Sequence, residues 1–266
     1  MKKYLVIGNP IEHSWSPKLH NYWFKEKKID AIYEKKQIKE NAIEGMIGEL
    51  KNGKIKGINV TVPFKKSVIP FLDELTPIAK ETQSVNTIFR SENGDVVGEN
   101  TDVHGFIKAI KNINYDVKNK IAFILGAGGV VPSIICALKS MGISKICLSN
   151  RTRKRAEEIK KIYSDLNLVE WGATPSFDII INATSLGLKE SDEIKLNYND
   201  SGPKKLFYDV IYNPNRTNFL LNAKKFGSQT ENGRLMFIYQ AQQAFKIWHS
   251  VEPEVNEKVL NLLDND

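Results

Sequence analysis

Ile121-Ala-Phe-Ile-Leu-Gly-Ala-Gly-Gly-Val-Val131 carries an uninterrupted apolar run into a glycine-rich turn and then into a second apolar stretch ending near Leu138. Five consecutive apolar residues suit a strand buried on both faces of a parallel sheet. Val131 to Met141 reads as the helix that follows. Strand, glycine turn and helix therefore stand in the order that a dinucleotide-binding βαβ unit requires. Glycines in such a turn let the backbone approach a pyrophosphate, and the helix N-terminus adds unpaired N–H groups and a positive dipole end. The third glycine of Gly-x-Gly-x-x-Gly is replaced by Val131, so a plain strand-to-helix turn is the competing reading of the glycines alone.

The segment that separates the two readings begins 24 residues after Gly126, where Lys145 to Ser149 ends in Asn150-Arg-Thr-Arg-Lys-Arg155. An NAD site would carry an acidic residue there for the ribose hydroxyls. Guanidinium groups in its place suit the 2′-phosphate of NADP, which a carboxylate would repel. A solvated basic helix start is the plainer alternative, but cations at a helix N-terminus oppose its dipole and need a compensating reason. The expected cofactor is NADP (NADPH), and the expected chemistry is hydride transfer.

Outward from this unit the chain alternates. Tyr4 to Gly8 reads as a strand, and Ser16-Pro17 as a helix N-cap followed by proline, with Leu19, Trp23 and Phe24 on one face. A strand over Ile32 to Lys35, a helix over Ala42 to Leu50 and a strand over Gly57 to Val62 complete a β-α-β-α-β opening. Helical pieces are expected near Lys65 to Lys80, then a hairpin of Asn86 to Arg90 and Asp95 to Gly98 around Glu92-Asn-Gly94. A helix over Val103 to Ile113 leads to the strand at Ile121. Beyond it come a helix over Thr152 to Ser164 and strands over Asp178 to Asn182 and Leu206 to Ile211. The last third reads as helical, with Leu235, Ile238, Ala241, Phe245 and Trp248 spaced three or four apart. At 266 residues the chain is near the length at which one core divides. The expected fold class is α/β: an N-terminal α/β substrate domain plus a Rossmann-type doubly wound NADP-binding domain, with a cleft between them. The expected boundaries are 1–102 with 235–266 for the first and 103–234 for the second.

Composition narrows the function. The net charge of +7 invites a nucleic-acid reading, but the lysines are scattered among glutamates and no basic stretch is interleaved with stacking aromatics. No nucleic acid and no membrane partner are expected, since no window approaches a membrane span and the opening lacks a secretory signal. A cytoplasmic location follows as an expectation. Cys136 and Cys147 form no Cys-x-x-Cys pair, and His13, His20, His104 and His249 lack zinc-site spacing, so no metal is expected.

Four polar segments fall at strand ends or helix starts outside the nucleotide unit: Gly8 to Pro17, Asn59 to Lys65, Ser84 to Thr87, and Glu99 to Asp102. They offer hydroxyls, amides, one lysine and one carboxylate, an inventory suited to a small molecule with a carboxylate and several hydroxyls. Singly each has a structural reading: Ser14 and Ser16 as caps, Asn86 in a turn, Asp102 as a helix cap.

With these motifs in order, joined by Asn182-Ala-Thr-Ser-Leu-Gly187, Tyr208-Asp209, Tyr212-Asn-Pro214, Asn232-Gly233 and Gln240-Ala241, the chain resembles the shikimate dehydrogenase family over nearly its whole length. The resemblance implies reversible NADPH-dependent reduction of 3-dehydroshikimate to shikimate in aromatic amino-acid biosynthesis. It implies that Ser14 and Ser16 hold the substrate carboxylate with Tyr212 nearby, and that Thr61, Lys65, Asn86, Asp102 and Gln240 bind the ring hydroxyls. Lys65 and Asp102 are the implied catalytic pair. Gly126, Ala127, Gly128, Gly129, Val130, Asn150, Arg151, Thr152, Arg155, Val210 and Gly233 are the implied cofactor residues. Two departures stand out: Val130-Val131 replaces small residues after the glycine turn, and Val103 replaces a glycine after Asp102. The implied partners are the small-molecule substrate and a state of monomer or homodimer. Three rivals remain at this level: dual activity on quinate and shikimate, a non-catalytic shikimate-binding regulator, and a serine hydrolase, since Ala183-Thr-Ser185-Leu-Gly187 mimics a nucleophile elbow.

Overall fold

Near-continuous apolar runs at Tyr4, Ile121 and Ile179 become the central strands of two separate sheets in the computed structural model, which describes residues 1–263. One compact unit is Met1–Gly105 with the chain from Ile238 onward, and the other is Phe106–Phe237.

In the first unit the elements are β1 (Lys2–Gly8), α1 (Ser16–Glu26), β2 (Ala31–Gln37), α2 (Ile43–Lys51), β3 (Gly57–Val60), β4 (Glu74–Leu75), α3 (Pro77–Thr82), β5 (Thr87–Arg90), β6 (Val96–Glu99) and the start of α4 (Thr101–Asn112). The sheet runs β2-β1-β3-β5-β6-β4. It is mixed: β1 pairs in parallel with β2 and β3, whereas β5 is antiparallel to both β3 and β6. The core gathers Leu5, Ile7, Ile43, Leu50, Ile58, Val68, Val85 and Ile88, none more than 1% exposed. On α1, residues four apart bring Leu19 with Trp23 and His20 with Phe24 into the interior.

One expectation needs correcting here. Ser16 is not the cap of α1. Trp15 holds that position without a side-chain bond, and Ser16 is the first helical residue. The Ser14 hydroxyl accepts from the Ser16 backbone N–H at 3.4 Å, so a side chain two positions earlier meets one of the unpaired donors. The helical pieces expected near Lys65 to Lys80 form at Ile69–Phe71 and Pro77–Thr82, with a short strand between them. The Asp73 carboxylate accepts from Val96 N–H at 2.9 Å, and Thr76 N–H donates to the Gly98 carbonyl at 3.0 Å, which draws β4 onto the sheet edge beside β6.

The second unit follows as β7 (Ile121–Leu125), α5 (Val131–Ser140), β8 (Lys145–Ser149), α6 (Arg153–Ile162), β9 (Asn167–Val169), β10 (Ile179–Asn182), β11 (Leu206–Asp209), α7 (Asn218–Lys225) and β12 (Gln229–Glu231). Every pairing is parallel, in the order β12-β11-β10-β7-β8-β9. Ile179, Ile180 and Ile181 are all fully buried, as are Phe123 and Ile124, which explains why these strands show no alternation. The order reverses between β7 and β10, and the crevice at the carboxyl ends of such a pair is where open parallel sheets bind ligands. The last third is less helical than its spacing suggests, because α7 and β12 precede α8 (Arg234–His249) and α9 (Glu257–Leu262).

From Ile238 onward α8 belongs to the first unit, where Ile238, Ala241, Ala244 and Phe245 are fully buried. Phe245 packs 5.5 Å from Phe24 and 5.7 Å from Trp23, and Trp248 Nε1 donates to the Ile88 carbonyl at 3.3 Å. Among the described residues no helix is long and apolar enough to cross a membrane.

Candidate active site

In the first unit, polar side chains from separate elements converge at the carboxyl end of β3 and the start of α4. Lys65 follows β3, Asn86 precedes β5, and Asp102 lies in the first turn of α4. Lys65 Nζ hydrogen-bonds Asp102 Oδ2, with side chains only 13% and 8% exposed. Asn86 Nδ2 donates to Asp102 Oδ1 at 2.8 Å and to Gln240 Oε1 on α8 at 3.3 Å. Both carboxylate oxygens are therefore met by donors, as a buried charge requires. Asn100 Oδ1 accepts from the Asp102 N–H at 3.2 Å, so the cap that the sequence assigns to Asp102 falls to Asn100 instead. The carbonyl of Lys65 accepts from Val85 N–H at 2.8 Å, tying the lysine's backbone to the segment before β5 that carries Asn86.

Thr61, whose N–H donates to the Ile7 carbonyl at 2.9 Å, leaves β3 beside the end of β1. Ser14 is half-buried, while Ser16 is buried and hydrogen-bonded to Tyr33. The structure thus joins Lys65, Asn86, Asp102 and Gln240 directly, with Thr61, Ser14 and Ser16 in the same unit. Tyr212 belongs to the second unit, stacked 4.8 Å from Phe237, and burial pushes its hydroxyl up to about 12.

In the second unit a cavity of about 220 Å³ opens at the glycine turn. Gly126, Ala127, Gly128, Asn150, Arg151, Thr152 and Arg155, all singled out from sequence, line it, together with Trp171, Ala183, Thr184, Ser185 and Leu186. Gly126 has φ +106°, and a Cβ there would lie 2.6 Å from the Ala183 carbonyl oxygen. Only glycine permits that approach. The Asn150 amide donates to the Thr152 carbonyl at 2.7 Å, shaping the turn that presents Arg151. Arg153 is held by Glu157 at 3.3 Å and by Glu170, and it is absent from the cavity wall. These ion pairs supply the compensation that a cation at the start of α6 needs. The described lining holds two arginines and no carboxylate, with backbone amides at the N-terminus of α5 beside them. That donor set fits a dinucleotide carrying phosphate groups.

Gly129, Val130, Val210 and Gly233 lie outside that lining. Val210 and Gly233 meet each other instead: a Cβ on Gly233 would fall 2.1 Å from the Val210 carbonyl oxygen. Trp171 escaped the sequence reading because β9, which leads to it, is only three residues long. Thr184 and Ser185 were legible as part of a motif but not as cavity residues. Asn182 organises them, its Oδ1 accepting from Thr184 N–H at 3.0 Å and Thr184 Oγ1 at 2.7 Å, while its Nδ2 donates to Asp209 at 3.0 Å. The elbow reading of Ser185 finds no support in His249, which packs in the first unit 4.5 Å from Phe245, with its Nε2 buried and without a partner.

Residues 6–88 match the profile of the shikimate dehydrogenase substrate binding domain, and residues 108–209 match that of shikimate / quinate 5-dehydrogenase. The chain is 57% identical to the shikimate dehydrogenase (NADP(+)) of Pelagibacter ubique, over 99% of both chains. It superposes on the crystal structure of shikimate dehydrogenase from Aquifex aeolicus with a TM-score of 0.89 and 36% identity, covering 100% of this chain and 98% of that one. The Thermus thermophilus enzyme, crystallised in complex with NADP(H) and shikimate, gives 0.88 at 29% identity, covering 99% and 98%. With a profile match in each unit and a full-length relative at this identity, the chain belongs to the shikimate dehydrogenase family.

Proposed function

We propose that the chain catalyses the reversible NADPH-dependent reduction of 3-dehydroshikimate to shikimate. The observation that carries this reading is the pairing of half-buried Lys65 with buried Asp102, with Asn86 on the second carboxylate oxygen and Gln240 beside it. A nicotinamide cofactor would supply the hydride for the ketone carbon, and the oxygen must gain a proton in the same conversion. Lys65 delivers that proton and takes it back in the reverse direction, and Asp102 holds Lys65 in place and shares the proton with it. Ser14 and Ser16 hold the substrate carboxylate, while Thr61, Asn86 and Gln240 orient the ring hydroxyls. The glycine turn from Gly126 to Val130 would hold the pyrophosphate of the cofactor. Asn150, Arg151, Thr152 and Arg155 would hold the adenosine 2′-phosphate, with Val210 and Gly233 as further cofactor residues. Substrate binding belongs to 1–102 with 235–266, and cofactor binding to 103–234. A cytoplasmic location accords with the buried thiols of Cys136 and Cys147.

The test is the loss of NADPH absorbance on adding 3-dehydroshikimate. Wild type turns over, and Lys65→Met lowers kcat by about two orders of magnitude or more, with a much smaller change in substrate KM. Near-normal turnover in that variant removes Lys65 from the mechanism.

A further inference from the structure

Behind the Lys65–Asp102 pair lies a row of buried side chains joined by hydrogen bonds. Tyr33, Asn59, Thr87, Asn86 and Asp102 are each no more than 6% exposed. Burial holds the Tyr33 phenol well above its ordinary range, against a hydrogen bond from Ser16, so it keeps its proton. Tyr33 Oη donates that proton to Asn59 Oδ1 at 2.6 Å. The Asn59 amide is thereby oriented, and its Nδ2 donates to Thr87 Oγ1 at 3.0 Å and to the Asn86 carbonyl at 3.0 Å. A threonine hydroxyl that accepts there has a single proton left to give. That proton is within reach of Asn86 Oδ1 at 3.1 Å and of Thr101 Oγ1 at 3.2 Å, and since Thr101 Oγ1 itself lies 3.1 Å from Asn86 Oδ1, a hydroxyl proton reaches Asn86 Oδ1 by either route, beside the Thr101 N–H at 2.8 Å. Strand pairing builds the row, since Asn59 on β3 stands opposite Thr87 on β5.

The consequence falls on Asn86. With donors gathered on its Oδ1, its Nδ2 must face Asp102 Oδ1 and Gln240 Oε1. The flipped amide would set N–H groups against the Thr87 and Thr101 donors, and a carbonyl against a carboxylate. We infer that Tyr33 and Thr87, linked through Asn59, are positioning residues that lock the Asn86 amide and, through it, the Asp102 carboxylate that holds Lys65. This rests on the assignment of Lys65 and Asp102 to the proton transfer.

Three variants, measured beside Lys65→Met, test it. Thr87→Val keeps the shape and removes the hydroxyl, so kcat falls roughly tenfold while the KM for NADPH stays at its wild-type value. Thr87→Ser keeps the hydroxyl and loses a methyl group, so it lowers Tm yet restores kcat. A purely structural role gives the opposite order, because serine leaves the cavity and valine fills it. Tyr33→Phe keeps the ring stacked 4.3 Å from His20 and removes the first donor. It lowers kcat as well and decides the matter if Thr87→Val does not fold. Wild-type kcat in both Thr87→Val and Tyr33→Phe, with Lys65→Met inactive, overturns the array and leaves the proton-transfer assignment standing. Full turnover in Lys65→Met removes the assignment itself.

Discussion

Arg151 and Arg153 stand two positions apart with the same chemistry, and their surroundings divide them. Arg151 lines the glycine-turn cavity, while Arg153 is occupied by Glu157 and Glu170 on the exposed face of α6. In the sequence they form one undivided run of cations, because ion pairing with Glu170 depends on where β9 places that residue. The division makes a prediction. Arg151→Ala raises the KM for NADPH by about tenfold or more, the loss of a charge-assisted bond to phosphate, and barely changes that for NADH. Arg153→Ala leaves both KM values near wild type, because exposed ion pairs contribute little. Equal effects of the two substitutions on NADPH would show that the phosphate is not held as proposed.

At the scale of elements, the β7–turn–α5 unit was legible because a buried parallel strand, a glycine turn and an apolar helix each leave a compositional mark. Val131 breaks the glycine pattern without harm to packing, being fully buried at the start of α5. Gly126 has no such latitude. Its φ of +106° and the Ala183 carbonyl 2.6 Å from a would-be Cβ make Gly126→Ala cost about 3 kcal/mol of stability, from strain plus overlap. Urea unfolding should show that loss, and calorimetric titration with NADP should show binding abolished. A variant of wild-type stability would mean the turn can open away from β10. By contrast β9 and β12, three residues each and no strand residue of theirs buried, left no period to read.

Across the whole molecule, the two units carry buried and half-buried titratable groups of opposite sense. Burial, with the charge of His249 added, lowers His20 to about 3, and burial, with Lys2 added, lowers His249 to about 4. Their folded values lie below the unfolded value of 6.5. Stability from keeping them neutral is therefore full above pH 6.5 and lost as the pH falls toward 4. In the second unit burial raises Asp209 to about 6, against hydrogen bonds from Thr217, Ile211 and Asn182, and raises Glu231 to about 7, against Arg234 and Asn232. A carboxyl raised in the folded state gives stability at low pH that is lost as pH rises through those values. Acidification from pH 7 to 5 should therefore weaken hydrogen-exchange protection in the first unit and not in the second, after correction for intrinsic exchange. His20→Phe, which keeps a ring against Tyr33, should remove about 1.4 kcal/mol per pH unit of that acid sensitivity. Equal loss of protection in both units, or an unchanged slope in the variant, would defeat the prediction.

Local patterns in the sequence were enough for the α/β class, the dinucleotide turn and the preference for NADP, because each depends on contiguous residues: apolar runs, glycines and a block of cations. Ser14, Ser16, Lys65, Asn86, Asp102 and Gln240 could be named one by one through family resemblance. Their joining could not be read, since Asn86 and Gln240 are 154 positions apart. Only the tertiary structure decided that Asn100 rather than Asp102 supplies the side-chain bond at the start of α4, that Arg153 is ion-paired, and that Tyr33, Asn59 and Thr87 stand in line behind the lysine. The physical reason is common to all three. A hydrogen bond or ion pair is decided by distance and by which neighbour already uses each donor and acceptor, and strand register sets both.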